Sequence, residues 1–369
     1  MASTARKVAN GVLSIRSMTA YLPPIEGRTL YTGQVDPYLI NGCDVILDVR
    51  DDHLAWLRTV QNDFLRQILG LNEFSLLAPL FTELAIFPLP YRRIILALSY
   101  LRSLVTLPSS HYAHVALHAS VSLFQRGFSS WVGDLALVLR NLPYPVILPP
   151  VLSLTQDHIS GLIKSVSSAA KLDLQTQIDN SPRLSLLHDR LEPLEGTAPA
   201  YRALFVRHYL HVRIHKHRVA ITCLLLGDHC LAVEQLRRHS AYFLPPVPRH
   251  LRLCRFCHSE IESPEHALLT CEGSTTLSAM RNQYIGRVNI ASPGLIVLPI
   301  THNNAVHALK RLIFQRDCID LIAKFVWDVL HLFEAEPILL PPLSLLVTSE
   351  QDNSPNDTAS ENGTLWGAS

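Results

Sequence analysis

The stretch LCRFCHSEIESPEHALLTC, residues 253–271, decides how the rest of the chain is read. Its spacing is Cys254-x2-Cys257-x8-His266-x4-Cys271. Two cysteines with two residues between them grip one metal ion from a tight turn. His266 and Cys271 follow at a spacing that suits the start and the exit of a short helix. Three thiolates and one imidazole match tetrahedral Zn2+, at about 2.3 Å to sulfur and about 2.0 Å to nitrogen. Thiolate ligands argue against Mg2+ and Ca2+. All four ligands come from the protein, which leaves no position for a water or a substrate, so the expected site is structural. A module this small buries little apolar surface, and the ion would contribute directly to its folding. His258 sits directly behind a ligand, too close to reach the same ion, and Arg252 and Arg255 flank the knuckle.

Outward from the cluster, charge is unevenly placed. The 369 residues include 32 Lys plus Arg and 31 Asp plus Glu, a formal net charge of +1, so no global field points at nucleic acid or membrane. The window from Pro199 to Arg255 nevertheless holds ten Lys or Arg, seven His and two acids, whereas beyond Lys324 there are seven acids and no Lys or Arg. A basic block suggests a phosphate-facing surface, and arginine suits bidentate phosphate contacts. The candidates are Arg207, Arg213, Lys216, Arg218, Arg237, Arg238, Arg252 and Arg255. The alternative is a solvated helical face balanced by acids elsewhere. What separates the two readings is whether these side chains converge on one exposed face.

Composition sets the class. A hydrophobic fraction of 48% against 17% charged excludes a mostly disordered chain. No run reaches the roughly 18 apolar residues of a membrane span, and the N-terminus MASTARKVAN lacks the apolar run of a secretory signal. An intracellular location, nuclear or cytoplasmic, is expected. Seven Cys in such a chain suit metal ligation or buried thiols rather than a disulfide framework, and Cys223, Cys230 and Cys318 read as buried thiols.

The apolar positions Leu54, Leu57, Val60, Phe64 and Ile68 keep a helical period, and Gly70 is the stop. Further helices are read near Ser75–Leu84, Tyr91–Val105, in His111–Leu139 with a break at Gly127–Ser130, and at Asp157–Ala170. A long helix is read over Tyr201–Leu226, another over His229–Arg238, and more at Thr275–Tyr284, Asn304–Phe314 and Cys318–Phe333. Strand signals are sparse, so the fold class is mainly α. Arg92 and Arg93 at a helix start oppose the macrodipole, which points to a bound acid or phosphate.

These patterns divide the chain into an expected series of regions. It runs as a weakly patterned segment 1–30, a helical bundle 31–171, a linker or insertion 172–198 and a basic helical region 199–244. A CCHC module 245–275, C-terminal helices 276–343 and a disordered acidic tail 344–369 complete it. Other chemistry is weak. His208, His211 and His215 share a helical face but suit an amphipathic surface better than a second metal site. Asp51 and Asp52 are explained as a helix cap. No Gly-rich phosphate loop, HExxH or GxSxG occurs.

Two blocks carry a family resemblance. Leu30–Arg102, above all Phe64-Leu65-Arg66 to Gly70-Leu71 and Leu80 to Arg93, resembles the region downstream of the polymerase core in fungal non-LTR retrotransposon reverse transcriptases. His215–Cys271 resembles the zinc-binding region of the same proteins, and Cys254, Cys257, His266 and Cys271 match its ligands. The resemblance implies a thumb-like bundle and connector followed by a structural Zn2+ module. The family's aromatic-Ala-Asp-Asp palm motif, its endonuclease and a ribonuclease H motif have no counterpart here. The implied protein is therefore not an enzyme. It is a fragment with weak RNA or DNA backbone binding, and apolar surface left bare by the missing core would drive self-association. The alternatives are a structural or protein-interaction module, or the decayed product of an element.

Overall fold

Leu54, Leu57, Val60, Phe64 and Ile68 all lie buried, on one face of the helix their spacing predicts. The computed structural model describes residues 2–342 except 51, 191, 195–196, 201–202, 238–245 and 297–298. Within these the chain is mainly helical. The tail expected at 344–369 lies outside the described residues. The strands are one short antiparallel hairpin, Glu192–Leu194 with Thr197–Ala200, among the described residues. The chain divides into two units, Met1–Pro182 with His188–Arg207, and Arg183–Leu187 with His208–Ser369. The basic region read at 199–244 is thus split after Arg207.

The first unit contains α1 (Ala2–Leu13), α2 (Asp52–Leu69), α3 (Leu77–Leu84), α4 (Leu89–Leu104), α5 (Tyr112–Gln125), α6 (Trp131–Arg140) and α7 (Gln156–Asp179), with shorter turns between them. Local chemistry sets the ends. Gly70, at φ 74°, takes the left-handed conformation that stops α2. Gly127, at φ 76°, separates α5 from α6, and the Ser130 hydroxyl accepts the Gly133 N–H to cap α6. Thr155 and His158 form a capping box at the start of α7. α4 and α7 lie against each other and bury Ala97, Leu98, Leu101, Ile159, Val166 and Ala170. Each of the larger side chains contributes about 1.5–3 kcal/mol of burial.

The linker expected at 172–198 is helical to Asp179, because Ala170, Leu174 and Ile178 continue the buried face of α7. The polar residues that suggested a linker are paired: Asp173 accepts from the Tyr91 hydroxyl at 2.9 Å and from Gln177. The single helix read over Tyr201–Leu226 does not form. The Phe205 and Arg207 N–H groups instead donate to the Thr82 and Glu83 carbonyls in an extended pairing, followed by a 3-10 turn at His208–His211. Of the helix read at His229–Arg238, one turn is present, Ala232–Gln235, and Arg238 lies outside the described residues. Arg92 and Arg93 do bind acids: Arg92 reaches Asp36 at 3.3 Å, and Arg93 reaches Asp48 at 3.1 Å and the Leu39 carbonyl at 2.6 Å.

The second unit contains α8 (His215–Leu225), α9 (Thr275–Ala291), α10 (Ala305–Phe314) and α11 (Ile319–Glu334). α8, α9 and α10 all pack on α11, whose Ile322, Ala323, Val326, Val329 and Phe333 have no exposed surface. The Tyr284 and Phe325 rings stack at 4.4 Å between α9 and α11. Among the described residues no single helix is long and apolar enough to cross a membrane.

In the first unit Glu83 is fully buried and accepts from Arg190 at 2.8 and 2.9 Å and from Arg207 at 3.2 Å, both nearly fully buried. Removing the carboxylate takes a shared acceptor from two buried guanidiniums. Glu83→Ala is expected to destabilise the protein by about 3–5 kcal/mol in urea denaturation. A change below about 1 kcal/mol would mean that the pair is solvated.

Candidate metal centre

The knuckle begins with a bridge between Leu253 and Ile261. The Cys254 N–H donates to the Glu260 carbonyl at 2.7 Å and the Glu262 N–H to the Arg252 carbonyl at 2.9 Å. The loop closes tightly enough to put His258 at φ 59°, with its Nε2 2.9 Å from the Arg255 carbonyl. His258 is therefore held against the backbone.

His266 and Cys271 come from a different local geometry. In an α-helix, residues five apart point about 140° away from each other. Residues His266–Thr270 instead form a wider π turn, closed by the Cys271 N–H to the His266 carbonyl at 2.9 Å. Cys271 follows in extended conformation.

The result is convergence. One ligand atom each from Cys254, Cys257, His266 and Cys271 lies within 4.8 Å of every other, close enough to hold a metal ion. The Cys254 and Cys271 sulfurs are 3.7 Å apart, and the Cys257 sulfur is 3.4 Å from His266 Nε2. Cys257 is half-buried and the other three are buried. This is the only such group of three or more His, Cys, Asp or Glu among the described residues. His208 and His211 fall in the 3-10 turn and His215 starts α8, so they share no helix face.

A second layer of contacts fixes the ligands. His266 Nδ1 lies 3.2 Å from the Thr270 hydroxyl, leaving Nε2 toward the sulfurs. Backbone N–H groups of Phe256 and Cys257 reach the Cys254 sulfur, those of Ser259 and Glu260 the Cys257 sulfur, and that of Gly273 the Cys271 sulfur. Arg281 of α9 donates to the Leu268 and Cys271 carbonyls at 2.9 and 2.8 Å. Cys254, hydrogen-bonded to Cys271 and buried, has its thiol pushed up to about 12, while the same contact holds Cys271 below the ordinary thiol range. Burial opposes ionisation of Cys257, but the Ser259 hydroxyl and the two backbone donors outweigh it and lower its pKa. Burial likewise opposes the imidazolium of His266, but the neighbouring sulfurs outweigh it and raise its pKa. The four groups thus share protons that a bound cation would displace.

Glu262, fully buried, joins the knuckle to its surroundings. It accepts the Ala232 N–H at 2.6 Å and the Arg255 N–H at 2.9 Å, and pairs with the Arg255 guanidinium at 2.6 Å. Arg255 also donates to the carbonyls of Phe333, Glu336 and Cys230. Phe256 meets Phe333 of α11 edge to face at 4.8 Å.

The basic candidates do not form one exposed face. Arg207, Arg218, Arg252 and Arg255 are buried. Arg218 donates to the Val212 carbonyl at 2.7 Å, and Arg252 to those of Val247 and Val233 at 2.7 and 2.8 Å. Arg237 is half-buried against Glu234 at 3.0 Å. Arg213 and Lys216 are exposed, with the Lys216 ammonium 3.7 Å above the Trp327 ring. Of the other thiols, Cys318 is buried and Cys223 and Cys230 are half-buried.

Comparison with known proteins finds no match, neither a family model nor a curated protein nor a solved structure.

Spacing alone pointed to the four ligands but missed Thr270, Glu262, Arg281 and Gly273. Gly273 is the sharpest omission, and its signal was a glycine two residues after the last cysteine. A Cβ there would lie 2.4 Å from the Phe256 carbonyl carbon and 2.5 Å from the Cys257 nitrogen. Gly273→Ala is therefore expected to force the knuckle open and to cost about 1–3 kcal/mol, read as a fivefold or greater loss of Co2+ affinity in a thiolate charge-transfer titration. Unchanged affinity would show that the two backbones separate freely.

Proposed function

We propose that the chain is a non-catalytic helical region of a retroelement polymerase, with one structural Zn2+ held by Cys254, Cys257, His266 and Cys271. The convergence of those four atoms carries the reading. A tetrahedral Zn2+ at ordinary bond lengths separates two thiolates by about 3.8 Å, and a thiolate from an imidazole nitrogen by about 3.5 Å. The corresponding separations of 3.7 and 3.4 Å fit that ion. With four protein ligands the ion's work is to tie the knuckle to the His266–Thr270 turn, and the polymerase context rests on the resemblance of Leu30–Arg102 and His215–Cys271. Nucleic-acid contact is confined to backbone phosphates and is weak, because the four buried arginines are turned inward. Arg213 and Lys216, with Arg237 at the margin, are its candidates.

That inward turn of the arginines favours a second reading, a structural or protein-interaction module without a nucleic-acid role. Two measurements separate the possibilities. Elemental analysis of protein purified under reducing conditions is expected to find about one zinc per chain, lost in the Cys254→Ala, Cys271→Ala double variant. A folded wild type without zinc would sink the assignment. The salt dependence of single-stranded RNA affinity is expected to have a log–log slope of about −2, against about −6 if all eight basic candidates met phosphates. If Arg213→Glu with Lys216→Glu leaves RNA affinity unchanged, the interaction-module reading replaces the nucleic-acid one.

A further inference from the structure

α5, YAHVALHASVSLFQ, carries His114 and His118 four residues apart. At about 100° and about 1.5 Å per residue, the two positions differ by about 40° around the helix axis and about 6 Å along it, so they share a face. Their rings meet there, with centroids 4.6 Å apart and planes tilted by 44°. His118 is exposed and His114 half-buried. His114 Nδ1 is shut off from solvent and meets no hydrogen-bond partner, an uncommon state for a buried polar atom, which leaves Nε2 as the atom this ring has to offer. Nearby His111 is employed differently: its Nδ1 accepts the Ala113 N–H at 3.2 Å and caps the helix. His188, His208 and His258 each lie against a backbone carbonyl. No Asp, Glu, Lys or Arg of α5 accounts for the pairing of His114 with His118.

We propose that His114 and His118 chelate one divalent transition-metal ion of the Cu2+ or Ni2+ class at the protein surface, with water filling the remaining positions. Two histidines at this spacing on a helix are the pair that grips zinc in HExxH sites. Only the spacing is shared here, and the ring separation selects a different geometry. An imidazole nitrogen about 2.0 Å from an ion puts the ring centre about 3.15 Å from it. Two rings on one ion then have centres about 4.5 Å apart at a right angle and about 5.1 Å apart at the tetrahedral angle. The 4.6 Å found between these rings fits the right angle, which tetragonal Cu2+ and Ni2+ prefer. Imidazole suits both ions, and affinity is greatest for Cu2+. With no Lys or Arg, α5 sets no cation of its own against the metal. Two ligands and an exposed ring make the binding exchangeable, in contrast to four converging ligands from the protein. The inference stands apart from the cysteine cluster and from any nucleic-acid role.

The test is calorimetric titration of Ni2+ into the full chain already loaded with Zn2+, in a non-thiol reductant. Ni2+ is the probe because soft thiolates compete for copper. Uptake of about one Ni2+ per chain is expected, with a dissociation constant on the order of 10–100 µM and no thiolate charge-transfer absorption. His114→Asn and His118→Asn are each expected to weaken it at least tenfold. His118 is exposed, so His118→Asn decides the matter if His114→Asn perturbs the circular dichroism. His111→Asn is expected to leave the affinity unchanged, since asparagine still caps the helix. The double variant His118→Ala, Ala119→His keeps the histidine count but moves one ring by about 100° around the axis, and is expected to lose binding as fully as His118→Asn. A wild type that takes up no Ni2+ in this range overturns the proposal. So does uptake that survives the double variant or that brings thiolate absorption with it. A tenfold loss in His111→Asn overturns the assignment to the pair.

Discussion

A guanidinium taken out of water must find acceptors for the N–H groups it carries inward. This requirement is met repeatedly in the chain. Arg190 and Arg207 converge on Glu83, and Arg93 reaches Asp48 and the Leu39 carbonyl. Arg255 reaches Glu262 and three carbonyls, and Arg281 reaches two. Because every one of these bonds has a direction, each fixes a loop or a helix end that apolar packing alone would leave free to slide. The knuckle shows the consequence. Arg255 lies between two metal-ligand candidates in sequence, yet its side chain runs away from them to Glu262 and the end of α11, holding the ligand loop against the helical core.

The same constraint governs what the surface has left to offer. Arginine outnumbers lysine 26 to six in the sequence, and a tally of charge between Pro199 and Arg255 treats each cation as available to a ligand. Burial removes half of the eight candidates from that role. Arg213 and Lys216 remain on the outside, and Lys216 already lies over the Trp327 ring. The proposed helical module, with a metal and at most modest phosphate contact, fits this arrangement better than a broad basic groove.

Proton sharing in the cysteine cluster joins the local geometry to the metal ion that the four residues could hold. Cys254 and Cys271 split one hydrogen bond between them, which raises one thiol and lowers the other. Backbone N–H groups aimed at the sulfurs stabilise the thiolates whether or not an ion is bound. The site is thus organised by its loop, and the loop in turn depends on a glycine, Gly273, that lets two backbones touch.

Periodicity and spacing were enough for most helices and for all four ligand candidates. The buried stripe of α2, the glycine stops at 70 and 127, and the Cys254-x2-Cys257 turn are local signals, set by φ preferences and side-chain period within a few residues. The polar end of α7 and the non-helical stretch at 203–214 were misread for one reason. There a distant partner decides the conformation, Tyr91 for Asp173, and the Thr82 and Glu83 carbonyls for the backbone at Phe205 and Arg207. The fate of each arginine was equally hidden, because burial is a property of the assembled fold. Residue types and their intervals carried the mainly helical fold class and the four candidate metal ligands. Which cations face inward and which glycine must stay bare were settled only by long-range packing, since those outcomes depend on what lies across from each side chain.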